Sequence, residues 1–525
     1  MSIFSKVAMP RPQTNTFDLS HDRKFSGKIG ELMPITVMET VPGDKFNIKA
    51  TNLTRFAPLI TPIMHQASVY CHFFFVPNRI LWSNWEDFIS GGEDGLADPT
   101  FPTVEISTAT NGYAVGALAD YLGLPTGKGL TNISALPFAA YQKIYDDYYR
   151  DENLIDKVDV SLVDGQQSGA DTIELGTMRK RAWQHDYFTS ALPWTQRGPE
   201  ATIPLGTTAP ITWQDTPGSA DYLRYSSTGG SVNSFDSSGA SPLQSIGTGQ
   251  LYVNQPGGPP DNSVSWDNSE HLTADLSGAT ASSINDLRRA FRLQEWLERN
   301  ARGGARYIEI IMAHFGVRSS DARLQRPEFL GGSATPITIS EVLQTSDTSQ
   351  QTTPQANMAG HGVSVGSSNY VSYKCEEHGY IIGIMSVMPK TAYQQGIPKH
   401  FKKLDKFDYF WPSFANIGEQ PILNEELYHQ NNATDAETFG YTPRYAEYKY
   451  IPSTVHGEFR DSLDFWHMGR IFGSKPTLNQ DFIECNADDV ERVFAVTAGQ
   501  EHLYVYLHNE VKATRLMPYF GTPTI

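Results

Sequence analysis

Residues Ser68 to Pro77 read SVYCHFFFVP, ten residues without a charged side chain or a glycine. Val69, Cys71, Phe73 and Phe75 alternate with Tyr70, His72 and Phe74, the two-residue period of an extended chain whose side chains leave on opposite faces. Both sets are large and mostly apolar, so the stretch is expected to be a strand covered on both faces.

Similar patterns lie on either side of it. Leu32 to Thr40 forms an extended run that ends in a Pro42-Gly43-Asp44 turn, after which Phe46 and Ile48 share one face. Arg306 to Val317, RYIEIIMAHFGV, is β-rich in composition and is expected to be a strand. Val371 to Cys375 and Tyr380 to Met388 flank a polar EEHG turn and are expected to form a hairpin. A second hairpin is expected from Arg492–Val496 and His502–Leu507 across TAGQE, with Val511–Leu516 adding a strand. Helical spacing appears in two places. Phe138 to Arg150 carries Phe138, Tyr141, Ile144, Tyr145 and Tyr148 on one side, after the start signals Ser134 and Pro137. Ile284 to Ala301 has Ile284, Leu287, Phe291 and Leu297 as a stripe, Ser283 as a cap and Gly303-Gly304 as a stop.

The chain has 525 residues, more than one hydrophobic core ordinarily serves, so it holds either several domains or one domain with large insertions. With 43 Gly, 32 Pro and 39% hydrophobic residues it reads as a folded, loop-rich protein. One segment differs from its surroundings. Ala209 to Ser283 is crowded with Gly, Ser, Asn, Asp and Pro and has one basic residue, Arg224, against seven acidic ones. It is expected to be a surface insertion, and its aromatics Tyr222, Tyr225, Tyr252 and Trp266 suggest that it orders against something else. Ser333 to Asn369, without a Lys or Arg, is expected to be a second polar loop.

Formal net charge is −17, from 41 Lys+Arg and 58 Asp+Glu, so bulk charge does not fit the chain for coating a phosphate backbone. Cys71, Cys375 and Cys485 are odd in number and far apart, which implies no disulfide framework. MSIFSKVAMPRPQ has no apolar run of signal-peptide length, and the longest apolar stretch, Tyr380 to Met388, is too short to span a bilayer. The expectation is a chain with no membrane insertion.

Catalytic signatures fail on inspection. Gly362-Val363-Ser364-Val365-Gly366 matches a nucleophile elbow, but a polar loop precedes it and a strand pattern follows. Gly123 to Gly129 is one residue short of a P-loop and lacks its Ser/Thr. Cys375 and His378 have no second pair at zinc-ligand spacing. No residue is assigned to catalysis, metal or cofactor. Basic residues cluster twice: nine Arg against five acids from Asp286 to Arg326, and five Lys against one Asp from Lys390 to Lys406. The second cluster also holds His400 and Phe401, the basic and aromatic mix of single-strand binders.

His314 to Gly332, HFGVRSSDARLQRPEFLGG, closely resembles a signature of the major capsid proteins of microviruses, small icosahedral single-stranded DNA phages, in their gokushovirus-like branch. Arg181 to Gly198 (RAWQHDYFTSALPWTQRG), Tyr141 to Leu154 (YQKIYDDYYRDENL) and Pro34 to Asp44 also look like that family, and the likeness breaks down mainly in Ala209 to Ser283. Ser319-Ser320-Asp321 departs from a Ser-Pro-Asp common in the family. The resemblance implies a mainly β protein: a single eight-stranded antiparallel jelly roll over 1–525 with long helical and loop insertions. It further implies a T=1 shell of sixty copies around circular single-stranded DNA, with the insertion at 209–283 as the protrusion on the threefold axes. Virion location, assembly in the host bacterial cytoplasm, a small basic DNA-packaging peptide, a minor DNA-pilot protein and a host cell-surface receptor are the corresponding expectations.

Within that frame Lys399, Lys402, Lys403 and Lys406 are the leading genome-facing candidates, followed by Arg23 and Lys24. Arg318, Asp321, Arg323 and Arg326 are expected either to contact a neighbouring subunit or to anchor their own loop. Tyr222, Tyr225, Tyr252 and Trp266 are the host-contact candidates. The alternative is a carbohydrate-binding or carbohydrate-active jelly-roll protein, because the same fold occurs in lectins.

Overall fold

The computed structural model describes residues 13–106, 112–159, 161–199, 201, 284–304, 306–345, 355–496 and 499–520, together with seven short strands between 211 and 274. The chain divides into two compact units, Met1–Arg197 with Glu298–Ile525, and Gly198–Leu297.

Eleven of the larger unit's described strands build its two main sheets: β1 (Asn15–Asp18), β2 (His21–Gly27), β3 (Met33–Thr40), β4 (Lys45–Phe56), β5 (Ala67–Pro77), β6 (Glu328–Pro336), β7 (Thr338–Leu343), β8 (Met358–Ser367), β9 (Val371–Lys374), β10 (Gly379–Pro389) and β11 (Leu503–Arg515). They form two antiparallel sheets. In one, β1 and β2 lie along one side of β11, β11 pairs with β4, and β4 pairs beyond with β8 and β9, with β7 outside β8. In the other the order is β6-β5-β10-β3.

Inward side chains from both sheets share one apolar core, including Ile35, Phe46, Ile48, Cys71, Phe73, Phe75, Ile381, Met385, Leu503 and Val505. A second core covers the opposite face of the β5–β10 sheet, where Phe74, Val76, Ile382 and Ile384 meet Trp82 and the helix α1 (Leu136–Ile144). The double-sided strand expected at Ser68–Pro77 is therefore β5, paired on both edges and covered on both faces. The expected helix at Phe138 is α1, which continues as a single π-helical segment over Tyr145–Tyr149. The helix α2 (Ile284–Gly303) also forms, and Gly304 follows it at φ +97°, a left-handed backbone that favours glycine.

Four expectations are corrected. Arg306–Val317 is no strand; it is the helix α3 (Tyr307–Phe315). The β-branched Ile308, Ile310 and Ile311 favour a strand, but the Glu309 carboxylate accepts from the Arg306 backbone N–H at 3.0 Å and Gly316 closes the helix at φ +67°. Val371–Cys375 and Tyr380–Met388 make no hairpin, since β9 pairs with β4 while β10 lies between β3 and β5 in the other sheet. Arg79 fixes the crossing between them by holding Glu377 with two hydrogen bonds of 2.9 and 3.0 Å. The C-terminal hairpin is absent as well, because Glu491–Val493 is a 3₁₀ turn and Leu503–Arg515 is one continuous strand. The polar His508-Asn509 step inside it is accommodated by partners: His508 meets Asp22 at 2.6 Å, and Asn509 donates to the Ile35 carbonyl at 3.1 Å.

The polar stretch 333–369 is the fourth correction, since it carries the end of β6 and all of β7 and β8. Its inward positions are small. A side chain at Gly362 would run into the Phe56 ring, so glycine there lets β8 approach β4 closely.

The Gly198–Leu297 unit holds three small antiparallel sheets: Leu223–Ser226 between Val232–Ser234 and Val264–Trp266, Leu243–Ile246 with Gln250–Val253, and Ile211–Trp213 with Leu272–Ala274. In register, Tyr225 lies opposite Asn233 and Val264, Trp266 opposite Leu223, and Tyr252 opposite Gln244. Tyr222 and Ser283 lie outside the described residues. Among the described residues, no helix is long and apolar enough to cross a membrane.

Candidate functional site

Tyr141–Leu154 meets His314–Gly332 and the helix before it in space, and Arg326 and Arg306 make the links. The π-helical turn leaves carbonyls at its end without helical partners. Arg306, just before α3, donates to the Asp146 carbonyl at 3.0 Å and the Arg150 carbonyl at 2.8 Å, and pairs with Glu152 at 2.6 Å and Glu309 at 3.1 Å. Arg326 donates to the Asp147 carbonyl at 2.9 Å, approaches Asp321 at 3.4 Å and lies 4.4 Å from the centre of the Tyr148 ring. Tyr148 returns a hydrogen bond of 2.5 Å to the Pro327 carbonyl. Burial and the neighbouring Glu152 push the Glu309 carboxyl above its ordinary range.

Of the four loop candidates, Asp321 and Arg326 are engaged inside the chain. Arg318 and Arg323 are exposed, and neither makes an ion pair among the described residues. Arg306 was not singled out by sequence reasoning. The available signal was Glu309 three residues after it, the spacing of a reciprocal cap.

The basic loop has a different character. Lys399 pairs with Glu426 at 2.6 Å, Lys402 with Glu425 at 3.0 Å and Lys403 with Glu447 at 2.8 Å. Lys403 also lies 3.7 Å from the centre of the Tyr448 ring. Lys406 makes no ion pair among the described residues and rests 5.0 Å from the Phe407 ring centre. Beside these lysines opens a cleft of about 540 Å³ whose walls include Tyr187, Phe188, Tyr393, Tyr409 and Tyr448. Arg23 is half-buried and donates to the Tyr121 carbonyl at 2.8 Å, whereas Lys24 is exposed beside Tyr506. The six genome candidates are thus not brought together in one place. Among the described residues no group of three or more His, Cys, Asp or Glu could hold a metal ion.

The elements and residues picked out by these motifs extend over nearly the whole chain, and so does its likeness to known proteins. The family described as "Capsid protein (F protein)" matches residues 5–525. This chain belongs to that capsid-protein family. It is 40% identical over 504 residues to the capsid protein VP1 of Bdellovibrio phage phiMH2K, covering 94% of this chain and 92% of that protein. The capsid protein VP1 of Chlamydia phage 1 is 34% identical over 583 residues, covering 99% and 97%, and that of Spiroplasma virus 4 is 34% identical over 552 residues, covering 99% and 96%. The chain is accordingly a structural, non-enzymatic capsid protein of microvirus type.

For this capsid protein an acid sensitivity follows from two histidines. Burial holds His65 and His72 down at about 4, with a further push from Arg181 on His72. Both keep neutral rings in the fold, hydrogen-bonded to the Lys390 carbonyl at 2.6 Å and the Tyr149 hydroxyl at 2.7 Å. The unfolded chain protonates them near 6.5. Their contribution to stability is therefore full above that pH and is lost as pH falls toward 4, amounting to about 1–3 kcal/mol for each ring. Urea midpoints of the dissociated chain should drop across this window, and a His65→Gln, His72→Gln double variant should drop less. An equal drop in the two proteins would overturn the assignment.

Proposed function

We propose that this protein is the major capsid protein of a T=1 icosahedral shell, sixty copies enclosing a circular single-stranded DNA genome. The observation that carries the reading is the near full-length match to three VP1 capsid proteins, each covered over more than nine-tenths of its own length. The strand orders β2-β11-β4-β8 and β3-β10-β5-β6 support the finer fold reading, an eight-stranded antiparallel jelly roll in which 78–327 and 390–502 are insertions.

The exposed Arg318 and Arg323 are the proposed subunit-contact pair of their loop, with Asp321 and Arg326 as its internal anchor. Direct genome contacts are few in this reading. Lys406 and Lys24 are the exposed candidates without a carboxylate partner among the described residues; Lys399, Lys402 and Lys403 are ion-paired and Arg23 is half-buried on backbone carbonyls, so these rank below them. A shell of chains at −17 needs cations from elsewhere to offset packaged phosphates, which supports a small basic packaging peptide or polyamines. A minor DNA-pilot protein and assembly in the bacterial cytoplasm belong to the same reading. The acidic insertion 209–283, with Tyr222, Tyr225, Tyr252 and Trp266, is the proposed outward protrusion and host contact.

Expression of the chain alone, followed by negative-stain microscopy and mass measurement, tests this. Uniform shells of sixty copies are expected, and deletion of Ser226 to Ser265 should leave them intact but unable to adsorb to cells. A compact monomer that binds or cleaves a glycan would replace the reading with the carbohydrate one; normal adsorption by the deleted shell would end the host-contact role alone.

A further inference from the structure

The surface around the basic loop is more apolar than its sequence suggests. Around the cleft Ile451 is 85% exposed and Phe401 68%, with the exposed rings of Tyr409, Tyr448 and Tyr450, while Leu404, next to Lys403 in the chain, is 89% exposed. Several large apolar side chains are thus exposed on one loop and its cleft, the kind of surface that marks an interaction site.

Of the loop lysines that could draw DNA to this face, three are already engaged and Lys406 is not. The Lys399, Lys402 and Lys403 ammonium groups each sit within 3.0 Å of a carboxylate, and the Glu426 side chain beneath Lys399 is only 2% exposed. Turning Lys399 toward a phosphate would take the only cation from that buried carboxylate, leaving it the Tyr187 hydroxyl and the Leu423 N–H and bringing a second negative charge close to it. Single-strand binding needs cations free to displace counterions, and here the pairs hold three of them. Beside these engaged lysines, exposed aromatic and aliphatic side chains make up much of what faces outward.

We infer that this face, centred on Phe401 and Ile451 and continued by Leu404 of the same loop, is a contact between neighbouring copies of the chain. The inference rests on the shell reading, in which other copies are the neighbours a subunit meets. Its charge also fits. Chains at −17 repel one another, so their contacts need a surface on which charges are neutralised within each copy and apolar area supplies the attraction. Three lysine–carboxylate pairs beside an exposed apolar cleft meet both requirements.

The native cysteines allow a direct test, because Cys71, Cys375 and Cys485 are all buried and should react slowly with a maleimide. In Leu404→Cys and Ile451→Cys chains the new thiol should label quickly in free subunits and at least tenfold more slowly in DNA-free shells. A variant that no longer assembles, while its free subunit keeps the wild-type melting temperature, also supports the contact. Shells in which both thiols label as fast as in free subunits overturn the interface and leave the shell reading standing. Protection that appears only after adding an oligonucleotide or a basic peptide overturns it in favour of those occupants. A wild-type chain that stays monomeric at every concentration overturns both the interface and the shell reading.

Discussion

Replacing Arg306 with methionine is expected to lower the stability of the dissociated chain by about 3–5 kcal/mol, the usual effect of removing one partner from a buried ion pair. Arg306 is four-fifths buried at the side chain and answers four acceptors at once: the Glu152 and Glu309 carboxylates and the Asp146 and Arg150 carbonyls. Methionine keeps the aliphatic stem but leaves two carboxylates side by side and two carbonyls at the end of the π-helical turn without their donor. Shell yield should fall with stability, since α3 and the loop after it would lose their tether to Tyr141–Leu154. Arg323→Met, on an exposed side chain, should change the denaturation midpoint little. Equal midpoints for wild type and Arg306→Met in urea titrations would show that the network holds no structure together.

Phe74→Ala is expected to cost a comparable amount, about 3–5 kcal/mol, for a different reason. The Phe74 ring is 1% exposed and lies on the face of β5 turned away from the inter-sheet core. Its ring centre is 4.8 Å from that of Tyr148 and 5.4 Å from that of Phe329, so truncation opens a cavity where the β5–β10 sheet meets the insertion that covers it. Phe329→Ala, at a half-exposed position, should cost distinctly less. Thermal or urea unfolding of the two variants compares them directly, and equal losses would mean that the second core contributes no more than a surface contact.

The candidate surfaces were legible in the sequence to unequal degrees. The capsid signature at His314–Gly332 lies against Tyr141–Leu154, where Arg326 donates to the Asp147 carbonyl and packs on Tyr148. The other arginine, Arg306, lies eight residues upstream of that signature and went unnoticed, because a lone arginine ahead of an Ile-rich run carries no mark of the carbonyls it will meet 160 residues away. The lysines of the basic loop were visible as charge, but their carboxylate partners come from residues 425, 426 and 447, and a count within the loop could not include them.

The sequence by itself determined the local elements whose pattern matched their burial. β5 alternates large apolar side chains on both faces and could be read as a doubly covered strand. α1 carries its aromatics at helical spacing and became the cover for one of those faces. The length, the acidic charge and the capsid-like motifs were likewise complete in the primary structure. Tertiary structure alone decided which strands pair and where ambiguous runs go. RYIEIIMAHFGV has the composition of a strand and became a helix, because one glutamate capped its start and one glycine its end. β9 and β10 are four residues apart and joined different sheets, because β10 is apolar on both faces and needed cover from both sides. The polar step at His508-Asn509 passed through the middle of β11 because Asp22 and the Ile35 carbonyl were there to receive it. In each case the deciding partner lies far away along the chain, and only the folded molecule brings it within hydrogen-bonding or packing distance.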